Sequence, residues 1–275
     1  MVQSVILITG ATDGLGRRVA EKLASPGVHL LIHGRDVPRG QEVVKTIEAA
    51  GGDATFYQAD FASLNAVRRL AEKIAAEHRQ IDVLINNAGI ALAHGPRRTS
   101  EDGFELSFAV NYLAPFLLTR MLLPCLGQER ASRIINVASA GQAPVDFGNV
   151  MLESGYEGLL AYRQSKLAQI MFTFDMAEEL KGKKVITATL HPSTYMDTTM
   201  VRNGGIQPIS SVDTGADAVI ALVTKPAEAV SGKYFDVQRE SRANGQAYDR
   251  QARRTLRELS MKLTGLSGPI AASLP

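Results

Sequence analysis

Short, almost continuously apolar runs recur along the chain at 5–9, 29–33, 54–58, 83–86, 133–137, 185–190 and 233–237. Each is rich in β-branched residues and bounded by turn formers, which predicts a strand. Unbroken apolarity, as opposed to in-out alternation, predicts strands covered on both faces, as in a parallel sheet. Between most of these runs apolar residues recur at helical spacing, over 15–24, 41–50, 64–76, 106–126 and 157–180. Pro115 falls inside the fourth stretch, so a kink or a late start is expected there. A final amphipathic helix is expected over 248–263, with Leu256, Leu259 and Leu263 on one side and Arg250, Arg253, Arg254 and Arg257 forming a solvated face. Strand and helix alternating over most of the length predicts an α/β fold, a doubly wound parallel sheet of about seven strands flanked by helices.

Two segments break that rhythm. Residues 141–158 are irregular, with Pro144, Gly148, Gly155 and Gly158, and so are residues 194–211, with Gly204, Gly205 and Pro208. Both follow strands, and the ends of parallel strands face the ligand crevice. They are expected to wall a mostly apolar substrate pocket with Gln142, Pro144, Val145, Phe147, Met151, Tyr195, Met200 and Ile206. No linker divides the chain, so a single domain over 1–263 is expected. The small, apolar tail 264–275 is expected to be loose or to pack on a second subunit of a homo-oligomer.

Composition narrows the class of protein. With 275 residues, 45% hydrophobic and 21% charged, and 30 basic against 28 acidic side chains, the chain reads as globular. It has no single-sign charge to attract nucleic acid or an acidic membrane. The one cysteine, Cys125, excludes an internal disulfide, fits a reducing compartment, and sits in an apolar run where a small buried side chain is expected. His29, His33, His78, His94 and His191 show no ligand spacing, so no metal site is expected. The first residues enter a strand with no signal-type segment. No apolar run approaches the roughly 18 residues of a membrane span. A soluble, cytoplasmic protein is therefore expected.

The first strand runs into Thr9-Gly10-Ala11-Thr12-Asp13-Gly14-Leu15-Gly16 and then a helix. Glycines there allow a tight turn and close approach of backbone to a pyrophosphate, and the helix N-terminus offers free N–H groups. The second strand ends His33-Gly34-Arg35-Asp36. An acid at this strand end would hold the ribose 2′-hydroxyl of NAD, whereas Arg35 suits the 2′-phosphate of NADP. NADP(H) is therefore preferred. Asp36 competes with that reading unless it caps the helix that Val37-Pro38 opens. Asp13 adds no basic contact to the loop, so NAD(H) stays open. Asp60 either hydrogen-bonds an adenine amino group or caps the helix beginning near Ser63.

Tyr162 and Lys166 stand one helical turn apart on one face. An ammonium beside a phenol favours the phenolate and is expected to lower the tyrosine pKa from about 10. On a solvated helix such a pair means nothing by itself.

Taken with Thr9-Gly10…Gly14-Leu15-Gly16, Asp60, Asn86-Asn87-Ala88-Gly89, Asn111 and Ser139, the pair makes the chain resemble the short-chain dehydrogenase/reductase family over nearly its whole length. Gly34-Arg35-Asp36, Asn111-Tyr112-Leu113-Ala114-Pro115-Phe116 and Ser165-Lys166-Leu167-Ala168…Phe172 are similar to the branch holding the retinol dehydrogenases. The resemblance implies a Rossmann-type domain and hydride transfer between NAD(P) and a small to medium apolar carbonyl or alcohol. It makes Tyr162 the proton donor and acceptor, with Ser139 on the substrate oxygen. Lys166 would lower the Tyr162 pKa and bind the nicotinamide ribose, and Asn111 would hold a proton-resupply water. It implies cofactor contacts from Gly10, Thr12, Asp13, Gly14, Leu15, Gly16, Arg35, Asp60, Phe61, Asn87, Ala88, Gly89, Tyr162, Lys166, Pro192, Thr194 and Thr198, with Asn86 as structural support.

One departure concerns the backbone that would grip the nicotinamide amide. His191-Pro192-Ser193-Thr194 has Ser193 where the family usually carries glycine, and Ser cannot visit positive φ freely. His191 is expected to be a strand-end residue satisfied by backbone. Two other classes use parts of this pattern, a non-catalytic NAD(P)-binding regulator and a sugar-nucleotide epimerase or dehydratase. The Tyr162/Lys166 pair argues against the first, and the chain length and the glycine spacing argue against the second.

Overall fold

The computed structural model describes residues 3–267, so most of the expected tail, 268–275, lies outside the described residues. The elements run β1 (Ser4–Ile8), α1 (Gly14–Leu23), β2 (Val28–Gly34), α2 (Val37–Ala49), β3 (Asp53–Gln58), α3 (Leu64–Glu77) and β4 (Val83–Asn86). Then come α4 (Leu106–Phe108), a π turn (Ala109–Leu113), α5 (Ala114–Leu122), a 3-10 turn (Leu123–Cys125), β5 (Ser132–Val137), α6 (Gly158–Glu179) and β6 (Val185–His191). The chain continues through α7 (Thr199–Asn203), α8 (Val212–Thr224), α9 (Ala227–Val230), β7 (Tyr234–Asp236), β8 (Arg239–Ser241), a 3-10 turn (Gly245–Tyr248) and α10 (Arg250–Thr264).

The eight strands form one sheet in the order β3-β2-β1-β4-β5-β6-β7-β8, parallel except for the antiparallel β7–β8 pair. The order reverses between β1 and β4, and at such a switch point the strand ends open a crevice. Ile8 lies beside both Ile32 of β2 and Ile85 of β4, so the loops that leave these strands start level with one another. One face of the sheet is covered by Leu15 and Val19 of α1, Val43 and Ile47 of α2, and Val219 and Leu222 of α8. The other is covered by Val67 and Ile74 of α3, Leu117 of α5, Ile170 and Met171 of α6, and Leu256 of α10. Double cover explains the unbroken apolar runs, since both faces of a strand such as Leu30-Leu31-Ile32 are sealed from water.

Five features differ from the sequence expectations. An eighth strand closes the sheet through a hairpin whose Val237 has φ 57. Helix α8 replaces a stretch that the periodicity left unassigned, because its apolar residues surround the axis and only the Ser211 cap, accepting from Thr214 N–H at 3.2 Å, marks it. Pro115 neither breaks nor delays its helix, which starts at Leu106 and relaxes into the π turn, with the Ala114 N–H reaching back to the Ala109 carbonyl. That same stretch, Leu106–Cys125, is 20 residues at mean hydropathy 1.4, long and apolar enough to cross a membrane, against the expectation that no run comes close. In this fold it is a core helix, 94% buried.

The arginines of α10 are the fifth. Arg253 is 5% exposed and donates to Glu178 Oε1 at 2.6 Å and to the Ala247 carbonyl at 2.8 Å. Arg257 donates to both oxygens of Asp175 at 3.0 Å. The expected solvated face is therefore half docked onto α6, whose acidic residues supply what an apolar count cannot show.

Candidate active site

The loop after β1 is shaped by glycines that could be nothing else. Gly10 has φ 64, and a Cβ there would meet the Ala88 backbone at 2.7 Å. A Cβ on Gly16 would come within 2.3 Å of the Gly10 carbonyl. Asn87 ties this loop to the turn after β4, donating from Nδ2 to the carbonyls of Thr9 at 2.9 Å and Gly10 at 3.1 Å. The Thr9 hydroxyl accepts from the N–H groups of Asn87 and Ala88, both at 3.0 Å. Beneath them His33 accepts from Gly10 N–H at 3.3 Å, bonds the Ala59 carbonyl at 3.2 Å and stacks on Phe61. Burial pushes its pKa down to about 4, so the ring is neutral. His33 was not singled out in the sequence, because an apolar strand gives no sign that its histidine props a loop.

These turns border a cleft of ≈ 890 Å³. Gly10, Thr12, Asp13, Gly14, Arg35, Asp60, Phe61, Asn87, Ala88, Gly89 and Thr198 line it, as do Arg39, Met200, Leu106 and Val110. A backbone cradle that a Cβ would fill, at the head of a helix, fits a dinucleotide phosphate. Leu15 and Gly16 lie behind the loop in the core. Pro192 is buried, and the Thr194 hydroxyl meets His191 Nε2 at 2.9 Å, so His191 finds a side-chain partner where a backbone one was expected. Asp36 caps α2, accepting from Arg39 N–H at 3.1 Å. Asp60 accepts from Ala62 N–H at 2.9 Å, while the first turn of α3 is capped from elsewhere, by Asp102 on Leu64 N–H at 2.9 Å. Arg39 was not foreseen. It pairs with Asp13 at 3.4 Å and Asp36 at 3.6 Å, and only a basic residue in the first turn after β2 hinted at it.

The four candidate reacting and supporting side chains converge where this cleft meets α6. A Cβ on Gly89 would stand 3.2 Å from Asn111 Oδ1 and 3.4 Å from Lys166 Nζ. Asn111, fully buried in the π turn, accepts from Ile90 N–H at 2.7 Å and donates to the Ile90 carbonyl at 3.0 Å and to Ser165 Oγ at 2.9 Å. It fastens the loop after β4 to α6. Lys166 donates to the Val137 carbonyl at 2.9 Å and faces Gln169 Oε1 at 3.4 Å. Its Nζ is 5.9 Å from the centre of the Tyr162 ring. Ser139 Oγ accepts from Gly141 N–H at 3.0 Å and is hydrogen-bonded to Tyr162.

The electrostatics differ from the expectation that Lys166 lowers the Tyr162 pKa. Burial raises Tyr162, and the Ser139 hydrogen bond pulls it partly back. Lys166 is itself pushed down to about 8 by burial. Its ammonium is engaged by neutral oxygens at the end of β5 and on α6, so among protein groups the serine is what favours the phenolate. What this arrangement can do is deliver a proton from a half-buried phenol to an oxygen also bonded by a serine hydroxyl, beside a cleft whose first loop fits a phosphate.

A short chain dehydrogenase family model matches residues 4–206. The chain is 33% identical to human retinol dehydrogenase 13, over 98% of this chain and 87% of that one. It is 34% identical to mouse polyprenol dehydrogenase, over 96% and 84%. The structure of a short chain dehydrogenase from Burkholderia cenocepacia in complex with NADP superposes with a TM-score of 0.70 at 27% identity, covering 86% of this chain and 96% of that one.

Proposed function

The chain belongs to the short-chain dehydrogenase family, in its retinol dehydrogenase-like branch, and is an NAD(P)-dependent dehydrogenase/reductase; from that premise we propose that it uses NADP(H) on a small to medium apolar carbonyl or alcohol. The observation that carries this reading is that Asn111 and Lys166 stand against Gly89, in the wall of a cleft that also holds Arg35 and Arg39, with Tyr162 beside Lys166 and hydrogen-bonded to Ser139.

The nicotinamide, when bound, supplies or accepts the hydride. Tyr162 gives its phenolic proton to the substrate oxygen in reduction and takes it back in oxidation. Ser139 donates a hydrogen bond to that oxygen as negative charge builds there. Lys166 binds the ribose hydroxyls. Asn111 has its side chain committed to Ile90 and Ser165, so the resupply water falls to its carbonyl, which Pro115, lacking an N–H, does not take up in the α pattern.

NADP(H) is favoured by three features. Arg35 is exposed on the cleft wall. Among the described residues the Arg39 guanidinium meets Asp13 at 3.4 Å and Asp36 at 3.6 Å, longer than the usual charged hydrogen bond, so it can turn to a phosphate. Gly34 stands where an acid would repel that phosphate. An apolar substrate is favoured by Met200, Leu106 and Val110 on the cleft wall, and the two relatives are named for apolar alcohols. The test compares wild type and Tyr162→Phe, with NADPH and with NADH, on benzaldehyde, octanal and cyclohexanone. Turnover with NADPH that disappears in Tyr162→Phe is expected. A higher kcat/KM with NADH overturns the cofactor assignment, and undiminished turnover in Tyr162→Phe overturns the chemistry.

A further inference from the structure

The family match ends at residue 206, yet the segment after β8 reaches back to the reaction centre. Gln246, in the 3-10 turn, pairs with the backbone of Val145 at both polar positions. Its Oε1 accepts from Val145 N–H at 2.7 Å, and its Nε2 donates to the Val145 carbonyl at 3.0 Å. Paired bonds of this kind imitate a neighbouring strand and fix the orientation of a peptide as well as its position. Close by, Asn244 N–H donates to Gln142 Oε1 at 2.7 Å, and Gln142 Nε2 donates to the Ser139 carbonyl at 3.0 Å. The Tyr234 hydroxyl of β7 donates to the same carbonyl at 3.3 Å.

The turn that carries Gln246 is itself anchored. Asn244 Oδ1 accepts from Gln246 N–H at 3.0 Å, and buried Arg253 of α10 bonds the Ala247 carbonyl at 2.8 Å and Glu178 of α6 at 2.6 Å. The loop it grips, by contrast, contains no helix or strand between β5 and α6. Val145 was expected on the pocket wall; it is 3% exposed and packed in the core, gripped from behind.

We propose that Gln246 and Gln142 form a positioning clamp, contributed by the C-terminal segment, that sets Ser139 and the substrate-side loop against Tyr162. The clamp rests on the reading of Ser139 and Tyr162 given above. Neither glutamine touches substrate or cofactor in this scheme; both act through the backbone of the loop that does.

The test uses the full chain with NADPH and benzaldehyde. Gln246→Leu removes both bonds at nearly constant volume, and Gln246→Glu keeps the acceptor for Val145 N–H. Amide exchange of Val145, read by NMR, is expected to quicken by about tenfold in Gln246→Leu, the fold-change of one net hydrogen bond. kcat/KM for benzaldehyde is expected to fall by a similar factor, with the pH profile of kcat displaced because the Ser139–Tyr162 bond is disturbed. KM for NADPH is expected to hold, since its cradle is built on the loops after β1, β2 and β4. Gln246→Glu is expected to recover only the part of the loss carried by the Val145 N–H bond, since its second oxygen faces the Val145 carbonyl. Wild-type exchange at Val145 overturns the clamp. So does a fall in active enzyme with unchanged KM and pH profile, which is what partial unfolding alone produces. Absence of turnover in the wild-type chain strikes the functional reading only, and the Val145 exchange then decides the clamp.

Discussion

Tyr162 is the residue where burial and hydrogen bonding compete most openly. Its pKa lies above that of a free phenol, so at neutral pH it holds its proton and is ready to act as an acid. Carbonyl reduction should therefore be flat through neutrality, whereas alcohol oxidation, which needs the phenolate, should climb as pH rises. Tyr162→Phe should lower kcat in both directions by about 10²–10⁴, measured by steady-state kinetics across pH. Lys166 makes a second prediction. Its folded pKa, about 8, lies below the 10.5 of a free lysine, so between these values the unfolded chain binds more protons and stability rises with pH. Lys166→Met lacks that rise. Its stability relative to wild type should be greatest near neutral pH and shrink from pH 8 to 10.5, as read from urea midpoints at a series of pH values. The identity and spacing of the pair were legible in the sequence. The direction of the Tyr162 shift was not, because spacing along a helix says nothing about which oxygens will engage the ammonium.

At the scale of elements, the phosphate loop and the strands before it were legible nearly to the residue, because glycine spacing and double-sided apolarity each have one physical cause. Gly10→Ala tests the loop. Left-handed φ and a Cβ 2.7 Å from the Ala88 backbone should destabilise the protein by about 1–3 kcal/mol and raise KM for NADPH more than KM for the carbonyl. Denaturant titration and kinetics separate the two effects. Helix α8 and strand β8 escaped because neither shows a clean period, the first being apolar nearly all round and the second being three residues long. The π turn was foreshadowed by Pro115 only as a disturbance. Its consequence, Asn111 turned inward between Ile90 and Ser165, is a property of the folded helix and not of its residue types.

For the whole molecule, the doubly wound parallel sheet follows from alternation of strand and helix, while the packing of the C-terminal third does not. An amphipathic period tells which side of a helix is buried but not against what. Here the answer lies in charge: Arg253 and Arg257 of α10 meet Glu178 and Asp175 of α6, and Arg120 of α5, 3% exposed, meets Glu179 at 2.6 Å. Breaking a buried pair strands its partner. Arg120→Met should therefore destabilise by about 3 kcal/mol, seen as a lower urea midpoint with KM for NADPH intact.

Helix α10 also sets a schedule. Leu256 and the Ser260 hydroxyl, which meets Tyr112 OH at 2.7 Å, seal an apolar face of α6 and the helix bearing Asn111. A ribosome makes these partners long before it makes their cover. Until residue 264 has emerged, a nascent chain with every parallel strand in place still shows that face to the cytosol of whatever cell translates it. Synthesis interrupted before residue 249 should leave a species that is folded at its first loop and sticky at its back.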